Sequence, residues 1–513
     1  MKFLSLLARG LGKYLIKSFD SSNSNPINTQ LKLLGNIISF NQYTDFGMKH
    51  NFDTIRSVRD FQKNCKIIDY DYIRPYIEET IKGNNTALTN SKILYWGQTS
   101  GTSGKPKLIP ITKHVIDTYN SMSFRIILNY IKEFPRRAGF LDGKWFVLPS
   151  FPLLRYESDG RPVGFITGII IHPFGIYSYK KFLKPFYYYP LKFLNIQNAE
   201  TRFKKIANDI KGKNITYTMG VTSVMVNLLD KIVKYNNAEN LLEILPNYKF
   251  AIFSGGGTRN YLNRFYDIIG RQVDVREGYF ATEGSFAVQK YNKPVMEFAY
   301  DSCFFEFIPN LKNDHIISER LLINQLDKNK EYSLVITSYN GLYAYNMGDI
   351  IKVVSTDPIE IQFSYREGVI DLADEKLTPN EIYTAVMNAT KKCNCEFVDF
   401  CLVGIYNPKP HYNFLFEFNE KREPLDLKGF LNEIDKNLQE LNNVYYFNIA
   451  GPNKGSLTNP ELWILKKNAF IQAEERKMNE TGNIGQIKFN RYSTDKKVLG
   501  FFEDLIISKI YLE

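Results

Sequence analysis

Cysteine is scarce. The chain has five in 513 residues, too few and too dispersed for a disulfide framework, and reduced thiols in a cytoplasm are the simple expectation. Cys393 and Cys395 form a lone C-x-C with no second pair nearby, which argues against structural zinc. The five histidines show no H-E-x-x-H or other ligand spacing. Long apolar runs are missing as well. Residues 1–18 are apolar but interrupted by Arg9, Lys13 and Lys17, short of the ~20 residues that a membrane span needs. They also lack the small-residue cleavage site of a secretory leader. An amphipathic helix packed on the body is expected there, with no stable membrane insertion. Concentrated charge of one sign is absent too. The net charge is +11, yet Lys and Arg interleave with Asp and Glu instead of forming a stripe or tail, so nucleic acid is not an expected partner. The positive field favours small anions. There is no internal repeat and no long Pro/Gly/Ser linker. A cytoplasmic monomer is expected.

What is present is the length and pattern of a two-domain globular protein. Residues 30–82 carry broken helical periodicity. From 93 onward, short apolar runs alternate with helical patterns. Strands are expected over 93–96, 145–148, 215–219, 250–253 and 273–279, and helices over 115–130, 223–233 and 261–269. That alternation argues for an α/β fold with substantial parallel sheet. A denser β stretch follows at 304–308, 321–323, 334–337 and 350–354. After about residue 370 a small α+β pattern begins: helices at 379–390 and 427–438, strands at 398–403, 414–418 and 444–449, and a helix from Pro460. The expected division is 1–370 and 371–513, with a short hinge near 366–376.

The chemistry concentrates in four places. The first is Gly97-Gln98-Thr99-Ser100-Gly101-Thr102-Ser103-Gly104-Lys105-Pro106-Lys107, between a strand and a helix. Glycines and small hydroxyl residues let backbone N–H groups turn toward an anion, and Lys107 adds a charge. Pro106 follows Gly-Lys, so this is not a Walker A loop. The second is Tyr279-Phe280-Ala281-Thr282-Glu283-Gly284, an aromatic ring able to stack on a base and a carboxylate able to hold Mg2+. It follows Ser254-Gly255-Gly256-Gly257, where a chain without side chains allows close approach to a flat base. The third is Ser338-Tyr339-Asn340-Gly341-Leu342-Tyr343-Ala344-Tyr345-Asn346-Met347-Gly348-Asp349. Taken alone, Gly348-Asp349 reads as a turn. The fourth comprises Arg366-Glu367-Gly368-Val369-Ile370-Asp371, Lys376, and Gly485-Gln486-Ile487-Lys488-Phe489-Asn490-Arg491. Taken alone, Lys488 reads as a solvated charge.

In this order the four segments resemble the adenylate-forming superfamily of acyl-CoA synthetases and luciferases. The run from Thr99 to Thr112 is most similar to the GH3 acyl acid–amido synthetases. The resemblance implies a large adenylate-forming domain with mixed, mostly parallel sheets and a β-barrel-like part, followed by a small mobile α+β lid. It implies ATP and Mg2+ as cofactors. Thr99, Ser100, Gly101, Thr102, Ser103 and Lys107 would hold the phosphates and Glu283 the metal. Gly255, Gly256 and Tyr279, with Phe280, Ala281 and Thr282, would line the adenine site. Asp349, Arg366 and Lys376 would serve the ribose region, and Lys488 would reach in from the lid to the α-phosphate. Three positions depart from the family pattern: Phe280 stands for glycine, Ala344 for a common arginine and Asn490 for proline.

The partners implied are a small-molecule carboxylic acid and an amine or amino acid. Phe124, Arg125, Met219 and Val221 are candidates for the acyl pocket. Two alternatives stay open on the sequence: a thiol acceptor such as coenzyme A or a carrier protein, and a non-catalytic protein that kept the fold.

Overall fold

The computed structural model describes residues 3–99, 107–147, 150–171, 184–194, 196, 199–255, 258–309, 319–366, 370, 372–373, 375, 377–406, 409–450, 457–481 and 491–512. Two compact units change over between Ser364 and Tyr365.

The first unit opens with helix Phe3–Ser24. It lies on the body: the Ser5 N–H donates to Asp142 Oδ1 at 3.2 Å, and Asn23 Nδ2 donates to the Phe298 carbonyl at 3.2 Å. No helix among the described residues is long and apolar enough to cross a membrane. Helices Pro26–Asn41, Val58–Asn64 and Tyr70–Ile81 begin at side-chain caps from Asn25, Ser57 and Asp69, which satisfy N–H groups that a helix start leaves unpaired. Their buried positions, such as Leu34, Ile37 and Ile38 or Ile73 and Ile77, recur at helical spacing.

Three sheets of the described residues belong to this unit. The first is four-stranded, in the order β2 (Leu108–Thr112), β1 (Ile93–Gln98), β5 (Pro162–Gly164), β4 (Arg155–Tyr156). The second is seven-stranded: β11 (Glu297–Phe298), β10 (Gly284–Val288), β9 (Asp274–Ala281), β8 (Phe250–Ser254), β7 (Ile215–Val221), β3 (Lys144–Val147), β6 (Tyr187–Tyr188). From β6 to β9 its neighbours are parallel, and β10 and β11 are antiparallel. Helices Thr222–Tyr235 and Thr258–Ile269 supply the β7–β8 and β8–β9 crossovers, while helix Lys113–Glu133 leads from β2 of the first sheet to β3 of the second. The third is an open antiparallel sheet, β12 (Phe304–Pro309), β13 (Glu331–Thr337), β14 (Tyr345–Thr356), β15 (Ile359–Arg366). One apolar core joins its inner face to the N-terminal helices and to β1, β9 and β10. The expected strand at 321–323 is instead a single bridge, Leu321 to Phe307, followed by the 3-10 turn Ile323–Gln325.

The second unit is built on a five-stranded sheet: β19 (Tyr492–Ser493), β16 (Phe397–Ile405), β17 (His411–Phe418), β18 (Glu461–Leu465), β20 (Ile506–Tyr511). Alternate residues face opposite sides. Phe400, Leu402, Phe414 and Phe416 pack with helices Pro379–Lys392 and Leu427–Leu441, while Cys401, Val403, Leu415 and Trp463 pack with helix Ala469–Thr481. Two expectations are corrected here. Residues 444–449 are not a strand but helix Asn443–Ile449, started by the Asn442 side chain accepting from the Tyr445 N–H at 2.8 Å. The segment after Pro460 is not a helix but β18. Its continuous Leu-Trp-Ile-Leu run belongs to a strand paired on both edges.

Candidate active site

Strand β1 runs antiparallel to β2 with Gly97 opposite Ile109 and Gln98 opposite Leu108. The Thr99 N–H donates to the Lys107 carbonyl at 3.0 Å and extends the ladder one step further. Ser100, Gly101, Thr102 and Ser103 lie outside the described residues. The anchors on either side are well fixed. Trp96 is fully buried and its Nε1 donates to Asp159 Oδ2 at 3.0 Å. The Leu108 N–H donates to the Tyr70 hydroxyl at 2.8 Å, and Lys107 Nζ sits 5.5 Å from the centre of the Tyr70 ring. The Thr99 hydroxyl is buried and has no hydrogen-bond partner. A buried polar group left in that state is costly, and a bound anion would satisfy it.

Strand β9 delivers the second motif. Ala281 pairs with Gly284, so Thr282 and Glu283 form the two-residue turn into β10. Glu283 is 5% exposed. Its carbonyl accepts from Asn340 Nδ2 at 3.4 Å, and the same amide donates to the Pro110 carbonyl at 3.2 Å. Asn340 thus ties the hairpin turn to β2. Gly97 completes the junction from the other side. A Cβ there would stand 2.8 Å from both Thr282 Cγ2 and Ile111 Cδ1, so only glycine lets β1 come this close.

Asp349 lies on β14 and is 2% exposed. The Tyr279 hydroxyl donates to its Oδ2 at 2.6 Å. Tyr279 itself makes edge contacts with Phe286 and Phe363. Ala344, in the third motif, is fully buried with φ of +45°. The anchor of the first motif, the Glu283 turn and Asp349 therefore come from three different sheets and meet through Gly97–Thr282, Asn340 and Tyr279–Asp349. Gly255 follows β8 with φ of +100°, and its Cβ position is 3.0 Å from Val221 Cγ1. Val221 and Gly255 thus stand at the carboxyl ends of parallel strands beside Tyr279, the usual place for a ligand in such a sheet.

Other expected residues are distributed as follows. Phe280 and Ala281 end β9. Met219 is half-buried on β7, and Phe124 is half-buried on helix Lys113–Glu133. Arg125, on the same helix, is buried and ion-paired with Asp301, so its guanidinium is already engaged. Arg366 ends β15. Gly256, Lys376 and Lys488 lie outside the described residues.

Two residues of the site carry no signal of their own in the sequence. Tyr119 stacks on Phe280 with centroids 5.2 Å apart, and its hydroxyl donates to the Ala281 carbonyl. Burial, and then the charge of Glu283, push its phenol well above the ordinary range. Asn340 was visible only as a member of its motif. Its bridging amide depends on tertiary placement.

No group of three or more His, Cys, Asp or Glu suited to a metal occurs among the described residues. Mg2+ needs no such cage, because one or two carboxylates plus substrate phosphates suffice. The buried Glu283 carboxylate can supply one such carboxylate. A cavity of about 780 Å3 lies elsewhere, among Tyr130, Arg137, Lys249, Tyr266, Asp274 and Glu277. None of the four motifs' expected ligand-binding residues lines it.

Comparison with known proteins agrees with the motifs. Models of the GH3 family N-terminal, central and C-terminal domains match residues 15–206, 296–366 and 380–497. The indole-3-acetic acid-amido synthetase GH3.10 of Arabidopsis thaliana is 23% identical, covering 96% of each chain. Among solved structures, the AtGH3.15 acyl acid amido synthetase in complex with 2,4-DB superposes with a TM-score of 0.77 at 17% identity, covering 98% of this chain and 97% of that one. The fold also extends to a 2-hydroxyisobutyryl-CoA ligase in its postadenylation state with 2-HIB-AMP, with a TM-score of 0.56, 12% identity, and coverage of 92% and 90%. With its motifs in order and three domain models matched along its length, the chain belongs to the GH3 family.

Proposed function

We propose that the protein is an ATP-dependent ligase that activates a carboxylic acid as an acyl-adenylate and passes the acyl group to an amine, with an amino acid as the acceptor. The observation that carries this is the joining of the motif-bearing segments: Gly97 packs on Thr282, Asn340 ties the Glu283 turn to β2, and the Tyr279 hydroxyl bonds Asp349. A carboxylate is a poor electrophile. Its oxygen attacks the α-phosphorus of ATP, the bond to the bridging oxygen breaks, and pyrophosphate leaves. The amine then attacks the acyl carbon, AMP departs, and the nitrogen loses a proton.

The chain's own groups position these reactants and offset developing charge. Thr99, the 100–103 segment and Lys107 take the phosphates. Tyr279, with Gly255 and Gly256, takes the base. Asp349 takes the ribose hydroxyls, because a carboxylate accepting two hydroxyl groups is a strong and directional contact. Glu283 would hold Mg2+, which when bound screens phosphate charge. Lys488 and Lys376 belong to the second unit, which acts as the lid, with Lys488 serving the adenylation step. The same reading takes the protein as a cytoplasmic monomer that binds no nucleic acid.

Pyrophosphate exchange into ATP, run with a broad panel of carboxylic acids, tests the first half-reaction. Exchange with at least one acid is expected, falling by about 10²–10³-fold in Lys488→Ala and in Glu283→Gln, the scale of losing one group that stabilises transition-state charge. No exchange with any acid, and identical behaviour of Lys488→Ala, would sink the reading. Mass spectrometry of mixtures with amino acids or coenzyme A then identifies the acceptor.

A further inference from the structure

Phe280 sits one residue from Tyr279 and three from Glu283, with its ring on the side of β9 that faces helix Lys113–Glu133. The ring folds back over Gly278, where a Cβ would overlap the ring edge and would also stand 3.1 Å from Ile126 Cδ1. Its other contact is the stack on Tyr119, at 5.2 Å and 24°. Tyr119 is 6% exposed and is pinned by its hydroxyl to the Ala281 carbonyl. Phe280 also joins two apolar clusters. One contains Met122, Ile126 and Met219, and the other Ile116, Ile166 and Ile170. The ring is therefore a plug, not a loose side chain.

On the adenylation reading, with the base toward Gly255 and Tyr279, the ribose toward Asp349 and the phosphates toward Thr99, this helix and Phe280 offer the acyl group an apolar wall. We infer that Phe280, backed by Tyr119, closes the acyl pocket early, so that the substrates are short aliphatic monocarboxylic acids and not acids bearing a bicyclic ring. This rests on the adenylation reading of the site. A longer acid would have to displace two packed aromatic rings, and packed interiors resist that. The Arg125 guanidinium on the same helix is ion-paired with Asp301.

The test is a pyrophosphate-exchange series running from acetate, propionate and isobutyrate to octanoate, decanoate and indole-3-acetate. In the unaltered protein, kcat/KM should be highest for a short acid and lower for the long and bicyclic acids by on the order of 10–200-fold, the range over which an apolar pocket discriminates size. Phe280→Gly should shift the preference toward the long acids, and Phe280→Leu should shift it part of the way. Thermal melts of both variants establish that they are folded. A purely structural role would lower activity toward all acids alike and leave their ratio unmoved, which would overturn the inference. Equal or better exchange with the bulky acids in the unaltered protein would overturn it too, while leaving the adenylation reading intact. Absence of exchange with every acid would instead count against that underlying reading. If Phe280→Gly does not fold, the unaltered protein's profile and Phe280→Leu decide the question.

Discussion

At the scale of single residues, the Tyr279–Asp349 bond is the most exposed to test. Tyr279→Phe removes one donor from a buried carboxylate and should destabilise the first unit by roughly 1–3 kcal/mol, measured by urea denaturation. It should also weaken ATP use, read as a raised KM. Two histidines give a pH signature. His50 lies between the Asn64 carbonyl at Nδ1 and the Tyr72 hydroxyl at Nε2, and His114 Nε2 is 2.9 Å from the Ser302 carbonyl. Burial holds both below the ordinary histidine value of 6.5. The unfolded chain therefore takes up these protons first. Their stabilising effect is complete above about pH 6.5, the unfolded value, and is lost as pH falls through the lower folded values. Melting temperature should drop on acidification below that point, and the slope should flatten in the His50→Gln/His114→Gln double variant. An unchanged slope would remove these two groups as the cause. The motifs that mark the family could be picked out in the sequence because they are carried by residue type and order. Tyr119 could not, because an aromatic on a helix announces only burial until its partner is known.

At the scale of elements, the hairpin contacts make a sharper prediction. Gly97→Val would drive a side chain into Thr282 and Ile111, separating β1 from the Glu283 turn. We expect a loss of about 1–3 kcal/mol from overpacking together with loss of pyrophosphate exchange, whereas a fully active variant would contradict the close approach. In the second unit, Thr378 and Glu381 cap helix Pro379–Lys392 reciprocally. Thr378→Ala should cost about 1 kcal/mol, seen as a shifted denaturation midpoint. Most α/β elements were legible from alternating apolar runs and helical periodicity. The failures share a cause. Residues 444–449 are rich in aromatic and branched side chains, which favours a strand on propensity, yet the Asn442 cap and packing of Tyr445 into the core decide for helix. At 461–465 a short apolar run has no period of its own, and only pairing with β17 and β20 makes it a strand.

At the scale of the whole molecule, the two units have separate cores, and the second has a sheet covered by helices on both faces. A fragment of residues 365–513 should therefore melt cooperatively on its own, and a broad, featureless transition would argue otherwise. Sequence order made the family legible. It could not reveal that Gly97, the Glu283 turn and Asp349, far apart along the chain, belong to three separate sheets joined through Gly97–Thr282, Asn340 and Tyr279–Asp349. That arrangement has a thermal consequence. A candidate centre built where separate sheets join is only as well aligned as that seam. Small slips of one sheet against another would spread its groups apart while every sheet kept its own hydrogen-bond ladder. Warming should then silence turnover several degrees before the circular dichroism of the strands begins to fade.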